Sequence, residues 1–302
     1  MAAVFRAVRV AEPYEYTGLV AEAWDLLRGD TSAWPDRPFY RGLIASQNEH
    51  CSGPALDVGC GTGRLLLDYL AAGLDIDGVD NSPEMLALCR SKAAASGLEV
   101  SARLFEQEMH ALALPRRYAT VMVPSSSFQL LTREADAAEA LQRFYGQLRP
   151  GGLLVMSIMS KLWPGKQAPV QMEWTKWFRA GEQIRPQDGR TICRWIRTCY
   201  DYDLQLEHEE NRYEVVANGA VMHSELHCRS PAVRWYSQAQ IIELYERAGF
   251  VDVRATSGFT MAPAAAEDTT FCVLGQRADF RVQRQLPDLA PAMRGWRRLG
   301  HG

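Results

Sequence analysis

Two hydrophobic rhythms alternate along the first half of the chain. Short apolar runs at 56–58, 76–79, 100–105, 120–123 and 153–158 have the length of buried strands. Segments at helical spacing lie between them. Leu65 to Ala72 reads as a helix stopped by Gly73. Ser82-Pro83-Glu84 opens the next with an N-cap, a proline at the first helical position and an acid in the first turn. Thr132 is the expected cap of a helix carrying Leu141, Phe144, Tyr145 and Leu148. This alternation predicts an α/β protein with a mostly parallel sheet.

The rhythm changes after the fifth run. From 162 to 236 helical spacing persists only near Met172–Phe178. Arg194–Leu204 and Arg212–Ala217 read as strands, Asn218-Gly219 as a two-residue hairpin, and Ala220–Cys228 as the return strand. This block predicts an antiparallel insertion. The α/β pattern then resumes with a capping box, Ser237 to Gln240, a helix to Gly249, and strands at Val251–Ala255 and Phe271–Leu274.

Bulk properties narrow the partners. The chain has 302 residues, 47% hydrophobic and 23% charged, with a net charge of −3. That balance gives no basic footprint for nucleic acid, and no apolar run is long enough to span a bilayer. Seven scattered cysteines, with no metal-ligand spacing, predict free thiols, no bound metal and a cytoplasmic location. Arg277, Arg281, Arg284, Arg294, Arg297 and Arg298, with Pro287 and Pro291, predict a poorly ordered basic tail over 277–302.

Chemistry enters at Ala55-Leu56-Asp57-Val58-Gly59-Cys60-Gly61-Thr62-Gly63-Arg64. A strand ending in such a turn lets a ligand approach the backbone, and the following helix start is expected to offer unpaired N–H groups. About 20 residues on, the second strand ends in Asp80, where nucleotide-binding folds place a ribose acceptor. A dinucleotide site would want glycine at position 64, which is arginine here.

The spacing instead resembles class I S-adenosylmethionine-dependent methyltransferases, small-molecule type. Leu-Asp-Val-Gly-Cys-Gly-Thr-Gly (56–63), Gly-Val-Asp-Asn-Ser-Pro-Glu-Met-Leu (78–86), Gln107-Glu108-Met109, Pro124 to Phe128, Arg-Pro-Gly-Gly (149–152) and Ala248-Gly249-Phe250 carry the resemblance. It implies a Rossmann-like seven-stranded sheet with the last strand antiparallel and the insertion as a lid. It implies S-adenosylmethionine as cofactor, held by Asp57, Gly59, Cys60, Gly61, Gly63, Asp80, Asn81, Met85, Glu108, Met109, Pro124 and Ser125. The expected organisation is a helical flap at 1–50, a cofactor-binding core at 51–160, a lid at 161–236, completion of the sheet at 237–276 and the tail.

The acceptor is the open question. The segment after the fourth strand lacks the Pro-Pro pair common in enzymes of this fold that methylate amino groups of bases or of glutamine, which leaves a small organic acceptor as the leading class. A peptide or protein substrate, or a non-catalytic S-adenosylmethionine-binding role, is the alternative, and a homodimer stays open. Tyr16, Tyr40, Ser126, Phe128, Trp163 and Trp195 are the expected acceptor contacts. His223 and His227, four apart on one strand, are the candidate bases.

Overall fold

The computed structural model describes residues 4–9, 16–161 and 169–279. The chain begins with a strand, β1 (Val4–Arg9), followed by α1 (Leu19–Arg28) and α2 (Asp36–His50). The α/β core then runs β2 (Ala55–Val58), α3 (Leu66–Ala71), β3 (Ile76–Asp80), α4 (Pro83–Ala95), β4 (Leu104–Glu106), β5 (Tyr118–Val123), α5 (Glu134–Gln147) and β6 (Leu148–Met159). Four strands form the insertion: β7 (Phe178–Ile184), β8 (Thr191–Asp201), β9 (Leu206–Ala217) and β10 (Ala220–Arg234). The chain returns through α6 (Gln238–Arg247), β11 (Phe250–Ser257) and β12 (Thr270–Arg277).

The core sheet has seven strands in the order β11-β12-β6-β5-β2-β3-β4. The five strands from β6 to β4 run parallel, and β12 lies antiparallel to both neighbours. Every residue of β2 and β5 is buried, as expected of strands covered on both faces. One face packs Phe144 and Leu141 of α5 and Ile241 and Tyr245 of α6. The other packs Tyr40 and Ile44 of α2, Leu66 and Tyr69 of α3 and Leu86 of α4. At about 1.5–3 kcal/mol for each large apolar side chain fully buried, these two layers hold the sheet between its helices. Strand order reverses between β2 and β5. A crevice therefore opens at the carboxyl ends of these strands, the usual ligand position in an open α/β sheet.

Local signals explain the element ends. Ser82 Oγ accepts from the Met85 N–H at 3.1 Å, with Pro83 at the first helical position. Ser237 and Gln240 form a complete capping box on α6. Asn218 and Gly219 both adopt positive φ between β9 and β10, as a two-residue hairpin turn requires.

Several expectations are corrected. The segment 1–50 is not wholly helical, because β1 pairs in parallel with β10 and extends the lid to five strands, β1-β10-β9-β8-β7. Arg133, not Thr132, stands at the cap position of α5. Met172–Phe178 is not helical; Gln171 bridges to Tyr200 and β7 starts at Phe178. Arg277 belongs to β12 rather than to a tail: it donates to the Tyr145 carbonyl at 3.1 Å and stacks on the Tyr145 ring. The rest of the basic tail lies outside the described residues.

Candidate active site

The turn after β2 is closed by its own backbone. The N–H groups of Gly59 and Cys60 donate to the Val79 carbonyl at 2.8 and 3.0 Å, and Gly63 donates to the Cys60 carbonyl at 2.9 Å. Gly61 N–H donates to Asp80 Oδ2 at 2.8 Å, while Asp80 Oδ1 accepts from Ser82 N–H at 2.9 Å. These four turn positions therefore offer close approach rather than free donors. Gly59 shows why a side chain is excluded. Its φ is +72°, and a Cβ there would lie 2.9 Å from Ser127 Oγ.

A cavity of about 340 Å³ sits over this turn. Its floor is Asp57 to Thr62 with Pro124, Ser125 and Ser127. Val79, Asp80, Asn81 and Met85 form one side, with Gln107, Glu108, Met109 and His110 beyond them. Tyr16, Trp24 and Arg28 cover it from the N-terminal segment. Arg229, Ser230 and Pro231 reach it from the lid, and Leu130 to Arg133 with Asp136 complete the wall. The N-terminal cover is fixed in place. Ser82 Oγ donates to the Tyr16 carbonyl at 2.7 Å, and the Tyr16 and Trp24 rings lie 4.7 Å apart.

Burial sets the protonation of the floor. Asp57 is almost inaccessible, and its Oδ1 has no hydrogen-bond partner among the described residues. Desolvation pushes its pKa from 3.8 to about 7, although the Arg64 charge pulls the other way. Burial also raises Asp80, against the hydrogen bonds from Ser82 and Gly61. The Cys60 thiol is pushed well up by burial, as suits a small filler rather than a nucleophile. Glu108 Oε2 pairs with His110 Nε2 at 3.0 Å.

Twelve of the anticipated residues meet at this cavity: Tyr16, Asp57, Gly59, Cys60, Gly61, Asp80, Asn81, Met85, Glu108, Met109, Pro124 and Ser125. Others are held elsewhere. Gly63 supports the turn from below, where a Cβ would meet Cys89 Sγ at 2.6 Å. Tyr40 is fully buried between α2 and the sheet, against Phe39 and Phe259. Phe128 is core, packed on Tyr236. Ser126 takes φ +59° and donates its N–H to Ser157 Oγ at 3.1 Å. Trp195 lies on the lid, its Nε1 donating to Glu214 at 2.8 Å between Arg179 and Arg212. Trp163 lies outside the described residues.

The two candidate bases are structural. His227 Nε2 contacts Glu225 Oε2 at 3.0 Å and His223 Nε2 contacts Glu225 Oε1 at 3.2 Å, away from the cavity. Glu225 Oε2 also accepts from the Leu19 N–H at the start of α1, at 2.8 Å. Burial raises Glu225, but the bonds from His227, Leu19 and His223 outweigh it and bring the pKa to about 2. Sequence reasoning missed Arg28, His110 and Arg229 to Pro231. Arg28 follows Trp24 at helical i,i+4 spacing, which marks a shared face. Nothing local marks the segment 229–231, because only the lid's fold brings it over the turn.

Comparison with known proteins follows this geometry. A family profile described as "Methyltransferase domain" matches residues 55–152. A protein of Geobacillus sp. (strain WCH70), named only as a candidate methyltransferase, is 29% identical over 72% of this chain and 82% of its own length. The demethylmenaquinone methyltransferase of Thermus thermophilus is 36% identical over 45% of this chain and 61% of its own. The dTDP-3-amino-3,6-dideoxy-alpha-D-glucopyranose N,N-dimethyltransferase of Streptomyces fradiae is 27% identical over 47% and 54%. The chain thus spans a little over half of the last two. A solved S-adenosylmethionine-dependent methyltransferase of Clostridium acetobutylicum shares the fold with a TM-score of 0.65 at 18% identity, covering 86% of this chain and 98% of that one. Residues 55–152 are thus similar to a methyltransferase domain, and the fold is similar to that of a solved S-adenosylmethionine-dependent methyltransferase.

Proposed function

We propose that this chain transfers a methyl group to an O, N or C atom of a small organic acceptor enclosed between the core sheet and the lid. The observation that carries this reading is the cavity roof, built from two separate segments, Tyr16 to Arg28 and Arg229 to Pro231, over the glycine turn. Relatives named for a quinone precursor and for an amino sugar support the small-molecule class. The residues present suit the cofactor. The buried, unpartnered Asp57 Oδ1 matches an ammonium group, Asp80 ends β3 beside the cavity, and Met85 and Met109 line an apolar slot.

When bound, S-adenosylmethionine supplies an electrophilic methyl group on its sulfonium. The chain's part is to bind, align and exclude water. Tyr16, Trp24 and Pro231 shield the space above the turn, while Pro124 and Ser125 line it from the end of β5. Among the described residues, no free histidine faces this space: His110 is engaged by Glu108, and His223 and His227 by Glu225. Positioning, worth on the order of 7–11 kcal/mol for well-aligned reactants, then carries most of the rate. A panel of small amines, phenols and peptides with methyl-labelled S-adenosylmethionine tests the reading. Label in small acceptors supports it. Label in peptides alone, or cofactor binding without any transfer, rejects it.

A further inference from the structure

The inserted strands β7 to β10 leave the core after β6 and rejoin it ahead of α6, so two crossings of the chain carry the lid. Crossings of this kind are where a lid hinges, and how firmly they are held decides how precisely it sits. One buried side chain holds both. Gln129 belongs to the short helical turn Ser127–Leu130 that follows β5. Its Nε2 donates to the Met159 carbonyl at 3.0 Å, at the end of β6, and to the Arg234 carbonyl at 3.1 Å, at the end of β10. Its Oε1 accepts from the Met159 N–H at 2.7 Å.

A primary amide suits this place, because it carries two donors and an acceptor on one plane. Toward Met159 it acts as a short length of neighbouring strand, meeting both backbone groups at once. A carboxylate lacks the donors, and an apolar side chain takes the partner from all three backbone groups. The same turn also faces the cavity. Ser127, Leu130 and Leu131 line it, while the Gln129 side chain reaches the crossings. Arg234 reinforces the joint, with Nε donating to the Thr132 carbonyl at 2.8 Å and Nη1 to the Leu204 carbonyl at 3.1 Å. Thr132 is itself part of the cavity wall. From Arg234 back to Pro231, which roofs the cavity, extended chain spans only about 10 Å at about 3.3 Å per residue. The lever between joint and roof is short.

We propose that Gln129 is a positioning residue for methyl transfer: it pins both lid crossings to the turn that lines the cavity, and so sets how Arg229 to Pro231 sit over the floor. The inference rests on the reading of this cavity as the methyl-transfer site.

Two variants test it. Gln129→Met keeps the side-chain length and removes all three bonds. Gln129→Glu keeps the bond from the Met159 N–H and removes both donors. In protein loaded with S-adenosylhomocysteine, Gln129→Met should speed hydrogen exchange in β9 and β10 at least about tenfold, while β2 and β5 stay within about twofold of wild type. Gln129→Glu should fall between. Affinity for S-adenosylhomocysteine in calorimetry should stay within about threefold. Single-turnover transfer from methyl-labelled S-adenosylmethionine, to whichever amine or phenol of the panel wild type labels, should fall about 10- to 100-fold, the scale of a misplacement near 1 Å.

Three results overturn the proposal. Lid exchange equal to wild type shows that the crossings hold without Gln129. Equal acceleration in β2, β5 and the lid marks Gln129 as a stabiliser of the fold alone. A loosened lid with unchanged transfer removes the link to alignment. If Gln129→Met does not fold, Gln129→Glu is held to the same three criteria. A wild-type protein that binds no S-adenosylhomocysteine, or labels no acceptor, refutes the underlying site reading instead, whatever Gln129 does.

Discussion

Replacing Asp57 by asparagine should stabilise the ligand-free protein at alkaline pH while weakening the cofactor. The carboxyl is buried at the end of β2 with one oxygen unpartnered, and its pKa is raised from 3.8 to about 7. For an acid raised on folding, the folded state binds the proton more tightly than the unfolded chain. Its effect on stability is therefore nil below about pH 3.8, grows unfavourable as pH rises to about 7, and is constant above. Roughly three pH units at about 1.36 kcal/mol each give a penalty of about 4 kcal/mol above pH 7. Asparagine removes the charge but leaves a buried amide short of partners, a cost of about 1–3 kcal/mol. The net gain at pH 8 is then about 1–3 kcal/mol.

Urea unfolding at two pH values isolates the charge. Between about pH 5.5 and about pH 8 this one group should cost wild type about 2 kcal/mol, and Asp57→Asn should lack that component. Cofactor affinity should move the other way. An ammonium group on Asp57 favours the ionised carboxylate, so wild-type affinity for S-adenosylhomocysteine should fall as pH drops below about 7, by up to tenfold per unit. The variant should bind weakly and without that dependence. Equal stability slopes in the two proteins, together with a pH-independent wild-type affinity, would refute both the perturbed carboxyl and its role.

Three further outcomes follow from the geometry. Asp80→Ala should weaken S-adenosylmethionine by roughly 2–4 kcal/mol in calorimetry, since it removes carboxylate bonds to the ligand and also releases the Gly61 N–H. Glu225→Gln should lower stability at neutral pH by up to about 3 kcal/mol, because the depressed pKa favours folding above about pH 4.5 and that gain is lost as pH falls toward about 2; the gap from wild type in unfolding curves should be full at pH 7 and close as pH falls from about 4.5 toward about 2. His227→Ala should lower the melting temperature but cut single-turnover rate by no more than about a hundredfold, the low end for a true general base; a far larger loss with the fold intact would restore it as a catalytic group.

The parts legible in sequence are those whose cause is local. Buried runs fixed β2, β3 and β5 to within two residues, Ser82-Pro83 marked α4, and Asn218-Gly219 marked the hairpin. The glycine turn and Asp80 could be paired because strand–turn–helix spacing is short. What failed was decided by tertiary contact. Tyr40 and Phe128 look like acceptor contacts as aromatics near the right motifs, yet both fill core space. His223 and His227 share a strand face, as alternation requires, but that face meets Glu225 and α1 rather than the cavity. β7 was missed because its residues are mostly exposed and lack a clean apolar alternation.

The Glu225 cluster gives those histidines a reason to be where they are. The start of α1 receives one carboxylate from the core, Glu84, which accepts from Gly18 N–H at 2.8 Å, and one from the lid, Glu225, which accepts from Leu19 N–H at 2.8 Å. These acids meet otherwise unsatisfied helix donors and the favourable end of the helix dipole. His223 and His227 hold the lid carboxylate in that position. Trp24 and Arg28, which cover the cavity, stand on the same helix. The helix roof is thus tied to sheet and lid together, and the parallel pairing of β1 with β10 fastens the chain ahead of it to the lid as well. Distant sequence segments therefore share one task, keeping the roof at a fixed height over the glycine turn. Under the proposed positioning mechanism, that height is a catalytic variable.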